Sequence, residues 1–457
     1  MRDELDRRPL VGVFLGLVVG CAGALAPWHL LFVLPVEIVA RRMIVRASIL
    51  IACLVGFFIY PRFDAQPVTK EGFYEGPVDV LTMPQSSGGS LRAVVLGGGR
   101  RYYLRTASDW VVLGDRLQVR ADVYPLLEGQ DGSSGVVGEL RTISAPERVS
   151  GGFFLWRVGT WVRQSFSRFT WRYGSEKAEP LLDGMCFSMT SNIPDDLRIA
   201  MAKTGTSHIV ATSGLHVMLA AFAIAAGLSV FPVPRHVQLI LLLILLAVYA
   251  AAAGFRPPVL RAVTMAAVFM FAYLARRSTD GLSALALAGT VNVLWAPETI
   301  LNVGFQLSMV AVSSLVLFAS PPEEASAGSL WQTVCGWSGR YVVASMAVTI
   351  GTAPLLAYHF GAIPIVSVAA NLLVVPVLGL VIAAALASWA FALVIPPVGV
   401  GLLKIGVEPL TGWIGLVIER VGSLPFASVQ IPEFSAYWLV PIYLALFAAW
   451  RPHVRTA

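Results

Sequence analysis

Two histidines and a serine, His208, Ser213 and His216, stand at the head of a long apolar run beginning Lys203-Thr-Gly-Thr-Ser-His-Ile-Val-Ala-Thr-Ser-Gly-Leu-His. Histidines eight apart fall near one helical face, and a serine between them is the raw material of a nucleophile–base pair. Hydrolysis also needs an orienting carboxylate and an oxyanion site. The nearest acids, Asp195 and Asp196, have no fixed place relative to the histidines in the sequence. Two histidines without a third ligand make no zinc pattern, so neither metal nor cofactor is expected. Polar groups entering a membrane-grade segment are costly unless they face protein or water. That leaves a conduction path or hydrogen bonds between packed helices. The same choice attends Gln306, Ser308, Thr349, Thr352 and Asn371, with the helix–helix bond preferred for Ser308 and Thr349. Asn371, five residues before Pro376, suits a broken-helix site. Arg256 and Arg261 flank Pro257-Pro258, where an interrupted helix would offer an anion both charge and backbone amides. The alternative is an interfacial loop whose arginines snorkel to lipid phosphates.

The elements that must position these residues are membrane helices. Only 13% of the 457 residues are charged, about half the usual globular fraction. Apolar runs of spanning length recur, giving an expected polytopic α-helical membrane protein of about 10–12 membrane segments. The net charge of +6 needs no nucleic acid, because cytoplasmic loops gather Lys and Arg for reasons of topology. Cys21, Cys53, Cys186 and Cys335 form neither a disulfide framework nor a zinc cluster. Val18-Val19-Gly20-Cys21 looks like a lipoprotein cleavage site, although an uncleaved anchor suffices. No Gly-rich lysine motif for ATP is present, so any motor is expected to be a partner.

Four regions follow in order. Residues 1–60 read as N-terminal transmembrane segments (10–26, 28–40 as half a tight hairpin, and 49–60), with Arg41 and Arg42 cytoplasmic. Residues 61–150 change character: short alternating runs at 76–81, 91–96, 101–106, 110–112 and 116–123 are separated by Gly-rich turns. About five such strands make a small β-barrel. Residues 151–175, with Arg157, Arg163, Arg168 and Arg172 among Phe and Trp, read as an amphipathic helix at the lipid headgroups. Residues 176–457 carry spans expected at 208–230, 237–253, 259–274, 282–295, 303–319 and 341–358, a long run 363–394, and apolar stretches 398–418 and 436–450.

The wording of the polar stretches is more specific than their chemistry. Ser207-His208 with Ser213-Gly214-Leu215-His216 resembles the signature of the ComEC family of competence membrane proteins. So, in the same order, do Gly254-Phe255-Arg256-Pro257-Pro258-Val259-Leu260-Arg261-Ala262, Gly304-Phe305-Gln306-Leu307-Ser308, and Phe360-Gly361 followed by Ala370-Asn371-Leu372-Leu373-Val374-Val375-Pro376. Pro258 departs from the family pattern, which has a small hydroxyl residue there. The resemblance covers roughly 175–450 and implies an inner-membrane channel that passes single-stranded DNA into the cytoplasm, itself not an enzyme. Gly114-Asp115-Arg116-Leu117-Gln118-Val119 looks like the family's OB-like extracytoplasmic domain. On that domain Arg101, Tyr102, Arg105 and Arg120 would guide DNA, against the plainer reading of a solvated barrel surface. Pore or gate roles would fall to His208, Ser213, His216, Arg256, Arg261, Gln306 and Asn371. Full-length relatives often carry a C-terminal metallo-β-lactamase-like domain. No His-x-His-x-Asp-His run occurs here, so a short form is expected, with any nuclease a separate polypeptide.

The implied partners are single-stranded DNA, membrane lipid, a periplasmic DNA receptor and a cytoplasmic helicase-like motor. A homo-oligomeric pore stays open. Competing readings are a secondary transporter of a smaller anionic solute, an intramembrane hydrolase, and a vestigial homologue kept as a scaffold.

Overall fold

The computed structural model of the chain describes residues 10, 11, 13–15, 17, 18, 52, 68, 71–82, 84–87, 90–108, 111–126, 136–211, 213–277, 280–318 and 330–450. Most of the expected N-terminal segments, including Cys21, Cys53 and the Arg41-Arg42 turn, lie outside the described residues.

The polar region folds into strands β1 (Gly72–Val80), β2 (Gln85–Ser87), β3 (Ser90–Gly97), β4 (Arg100–Thr106), β5 (Arg116–Tyr124), β6 (Val136–Thr142) and β7 (Glu147–Ser150). The order is β1-β3-β4-β6-β5, and β1 also pairs with β5, which closes a five-stranded barrel. The β4–β6 pair is parallel and the others antiparallel. This is the OB-like arrangement expected. Alternation does the sorting: Leu117, Val119 and Ala121 on β5 are fully buried, while Arg116 and Arg120 on the opposite face are exposed.

Two details differ from expectation. Val111 and Val112 are no strand; Val111 plugs the barrel core from a loop. The fifth barrel strand is instead β6, where Gly138 and Glu139 interrupt the apolar alternation although both are buried.

Asp115 ties the barrel to the membrane domain. It is 1% exposed; its carboxylate accepts from the amides of Val112 (3.0 Å) and Gly152 (3.0 Å) and pairs with Arg148 at 3.2 Å. Gly152 opens the path into α1 (Phe154–Tyr173). This helix is amphipathic, with Arg157, Arg168 and Arg172 exposed, but Arg163 faces inward with Phe166 and Phe169. The reason is packing. A side chain at Gly159 would strike the Ala251 and Ala252 backbone, so the helix lies directly against a neighbour.

Then come α2 (Ala178–Phe187), α3 (Asp195–Thr204), α4 (Gly214–Ser229), α5 (Arg235–Ala252), α6 (Pro257–Leu274), α7 (Gly281–Trp295), α8 (Val303–Phe318) and α9 (Leu330–Phe360). After them come β8 (Ala362–Pro364), α10 (Ser367–Val394), α11 (Pro396–Leu402), a π-turn into α12 (Glu408–Gly422), β9 (Ser428–Gln430) and α13 (Leu439–Trp450). Among the described residues, five helical segments are long and apolar enough to cross a membrane: Arg235–Ala252, Pro257–Leu274, Tyr341–Phe360, Ser367–Val394 and Pro396–Gly422. Their exposed residues, such as Ile240, Phe271 and Leu380, would face lipid.

Replacing Asp115 by Ala strands two amides and Arg148 at a buried joint. The expected cost is about 3 kcal/mol of barrel stability, read as faster limited proteolysis between barrel and α1 in the purified protein. Proteolysis at the wild-type rate would refute the anchoring role.

Candidate functional site at the converging turns

The four polar stretches, spread over more than a hundred residues of chain, meet at one end of the helical bundle. The first begins where α3 stops. Gly205 takes the left-handed conformation (φ 68°) that ends a helix, and a Cβ there would lie 2.8 Å from Pro364 and from Ser367. Only glycine serves both needs, and this close approach joins the first stretch to the fourth. His208 Nδ1 lies 3.0 Å from the Gly205 carbonyl and donates to it.

Ser213 caps α4, and His216 sits at its third position. The Ser213 amide donates to His216 Nδ1 (3.1 Å), so Nδ1 is an acceptor and the proton resides on Nε2. Nε2–H then donates to the Ile209 carbonyl at 2.9 Å. His216 thus plays the part that Glu or Gln plays in a reciprocal capping box, and it is fully buried. Ser213 Oγ is 3.0 Å from Nδ1, but the far side of the ring faces a backbone carbonyl where a hydrolase would place a carboxylate. Asp195 pairs with Arg198 (3.3 Å) at the exposed start of α3. Among the described residues no three His, Cys, Asp or Glu side chains gather as metal ligands would.

The second stretch departs from the expected interrupted helix. Gly254, Phe255 and Arg256 form the turn between α5 and α6, and Pro257-Pro258 open α6 at positions that tolerate proline. Phe255 holds a positive φ of 48° and stacks edge-on against Trp156 of α1, ring centroids 4.4 Å apart. A Cβ at Gly114 of the barrel would meet Trp156 at 3.2 Å. The barrel, α1 and this turn are therefore packed in one line. Arg256 donates to the Ser188 carbonyl at 3.3 Å.

Arg261 is 3% exposed. It donates to the Ser308 carbonyl at 2.6 Å, binding the second stretch to the third, and its Nε has no hydrogen-bond partner. A side chain at Gly214 would collide with its guanidinium. A buried cation therefore lies beside the amino end of α4, itself the positive pole of the helix. Among the described residues no carboxylate pairs with Arg261.

Gln306 spans a helix end: its Nε2 donates to the Ile300 carbonyl (2.8 Å), and its Oε1 accepts from His359 Nε2 at 2.9 Å. That bond links the third stretch to the fourth. His359 escaped the sequence reading, although it directly precedes Phe360-Gly361. Asn371 is not at a helix break. Helix α10 runs unbroken through Pro376, and the half-buried Asn371 keeps an unpartnered Oδ1. The sequence reading also passed over Asp183, which is buried, accepts from Ser167 (2.6 Å) and Thr170 (2.7 Å), and lies within electrostatic reach of Arg163. Arg163 in turn feels Arg256.

On the barrel, Tyr102 is a correction. It is 8% exposed and packs in the core, so it has no face for stacking a base; its neighbour Tyr103 points outward. The cause is the two-residue period of a strand. Arg101 and Arg105 stand on the outer side with Tyr103, while Arg120 pairs with Glu75 at 2.7 Å. Burial raises the Tyr74 hydroxyl above its ordinary range, and the Glu139 hydrogen bond raises Arg141.

The family described as "Competence protein" matches residues 185–455 of this chain, the region that carries all four converging stretches. The chain belongs to the competence protein family. Among competence-family relatives, ComE operon protein 3 of Bacillus subtilis (strain 168) is 28% identical over 262 residues, 56% of this chain and 31% of that protein. Competence protein ComA of Neisseria gonorrhoeae is 29% identical over 331 residues, 65% of this chain and 45% of that protein. An uncharacterized protein of Escherichia coli (strain K12), YcaI, is 27% identical over 277 residues, 57% and 35% of the two chains. The chain spans less than half the length of each of these curated relatives. No solved structure matches it.

The Gln306–His359 bond is expected to couple the two competence-family turns. In a double-mutant cycle, Gln306→Ala and His359→Ala should show a coupling of about 1 kcal/mol in thermal unfolding in detergent. Strict additivity would mean that the bond contributes nothing.

Proposed function

We propose that this chain forms the membrane core of a ComEC-like channel that passes single-stranded DNA into the bacterial cytoplasm, acting as a conduit and not as an enzyme. The observation that carries this reading is Arg261. A guanidinium buried without a carboxylate beside a positive helix end is unfavourable by itself. It becomes favourable when an anion approaches, and a polyanion crossing a low-dielectric slab needs such a positively biased path. Arg256, in the turn that packs on Trp156 beside the barrel, extends the same bias in that direction.

On this reading, the barrel and the converging turns lie together on the outer face of the cytoplasmic membrane. Trp156 joins them, so DNA guided along the barrel arrives at the turns that hold Arg256 and Arg261. Gln306, His216 and His208 set the shape of that end by holding helix termini in place, and Ser213 and Asn371 add polarity to it. An outer DNA receptor, an inner helicase-like motor and a separate nuclease complete the proposed machine; a second copy of the chain is the remaining partner to test.

Arg261→Gln removes the charge and keeps much of the side-chain volume. In a competent host whose own homologue is deleted, complementation with the Arg261→Gln chain should lower transformation by purified marker DNA at least about tenfold, at wild-type membrane abundance. Wild-type frequency in that strain would sink the role of Arg261. Wild-type complementation that fails to restore transformation, with binding of a small anionic solute instead, would favour a solute transporter.

A further inference from the structure

The outer surface of the barrel carries a row of arginines in register. Arg92 on β3 is opposite Arg105 on β4, and Arg105 is opposite Arg141 on β6; the next residue across, on β5, is Asp122. Like charges directly opposite on neighbouring strands destabilise a sheet. A three-strand row of them is therefore a poor choice for folding alone.

Two of these arginines border a recess of about 370 Å³, lined also by Ser90, Ser108, Thr142 and Ser144. Both are held from behind. Arg105 Nε donates to Ser90 Oγ at 2.9 Å, and Arg141 Nε donates to Glu139 at 2.8 Å while its guanidinium lies 4.5 Å over the Tyr124 ring. Anchoring through Nε leaves the terminal amino groups for a ligand and lowers the entropy lost when one binds.

We propose that this recess holds a backbone phosphate of single-stranded nucleic acid, with Arg105 and Arg141 as its two cationic walls. The inference rests on reading the chain as a DNA conduit and adds to it a particular subsite, with Arg141 as a residue that the strand pattern alone did not single out. Hydroxyls around two forked cations suit a tetrahedral oxyanion. The nearby aromatic faces are occupied: Arg92 sits 4.0 Å over Tyr103, and Arg141 covers Tyr124. The subsite therefore grips the phosphate and leaves the base unread, which makes it independent of sequence.

The test uses the purified full chain in detergent and fluorescence anisotropy with a labelled oligothymidylate across a salt series. Arg105→Gln and Arg141→Gln should each weaken binding by about threefold to tenfold and flatten the log–log salt slope by about 0.7 for each phosphate the protein no longer neutralises. Arg100→Gln, an exposed charge at the opposite end of β4, should change binding by less than half as much. An abasic deoxyribose-phosphate polymer should compete nearly as well as oligothymidylate. Variants that bind like wild type would overturn the subsite while leaving the channel reading to the transformation assay. Arg105- and Arg141-dependent binding of anionic phosphatidylglycerol vesicles, with no oligonucleotide binding, would overturn it in favour of a lipid headgroup site. Complete dependence on bases would overturn it in favour of stacking.

Discussion

A guanidinium buried beside the amino end of a helix is the constraint around which the membrane end of this protein is arranged. Arg261 reaches the Ser308 carbonyl and closes on Gly214, so three helices approach closely at a point where the positive pole of α4 meets a buried cation. Such an arrangement persists only because its surroundings over-determine it. Gly214 has no side chain to push the guanidinium away, and α4 starts where His216 and Ser213 satisfy its end. The arginine also fastens α6 to α8 through a carbonyl, which any donor could have done. Its charge is the part that packing does not require.

The remaining polar groups at this end solve a shared problem. Helices that turn back within a low-dielectric region leave amides and carbonyls without partners. Here side chains meet that need: His208 at the Gly205 carbonyl, His216 at the Ser213 amide and Ile209 carbonyl, Gln306 at the Ile300 carbonyl with His359 behind it. Residues that look like catalytic material in the sequence are thus engaged with backbone. This separates two roles. The histidines and Gln306 keep the end rigid, and the arginines give it an electrostatic sign.

The barrel and the bundle are mechanically connected. Asp115 locks the turn before β5 to Gly152, and Trp156 packs against both that turn and Phe255. Through Trp156 the barrel is thus packed against the turn preceding α6, the helix that carries Arg261. The positive φ at Phe255 makes that turn a place where a strained backbone is held by ring packing.

The broad architecture is legible in one dimension. Apolar runs of membrane length and strands of period two follow directly from composition and spacing, which is why α5, α6, α8, β4 and β5 stand within a few residues of expectation. Local chemistry also announced the polar stretches, because their cost in an apolar segment is visible along the chain. Other features exist only in three dimensions. Tyr102 and Tyr103 are adjacent and chemically alike, and only the barrel's closure settles which one faces the core. Strand β6 was hidden because its first five residues, Val136 to Leu140, are all buried, so no alternation marked it. Asp183, Arg163 and His359 find their partners across helices, and Arg92, Arg105 and Arg141 are neighbours by strand register. Neither relation exists until the chain is folded, since hydrogen bonds and electrostatic fields depend on distance in space and not on separation along the sequence.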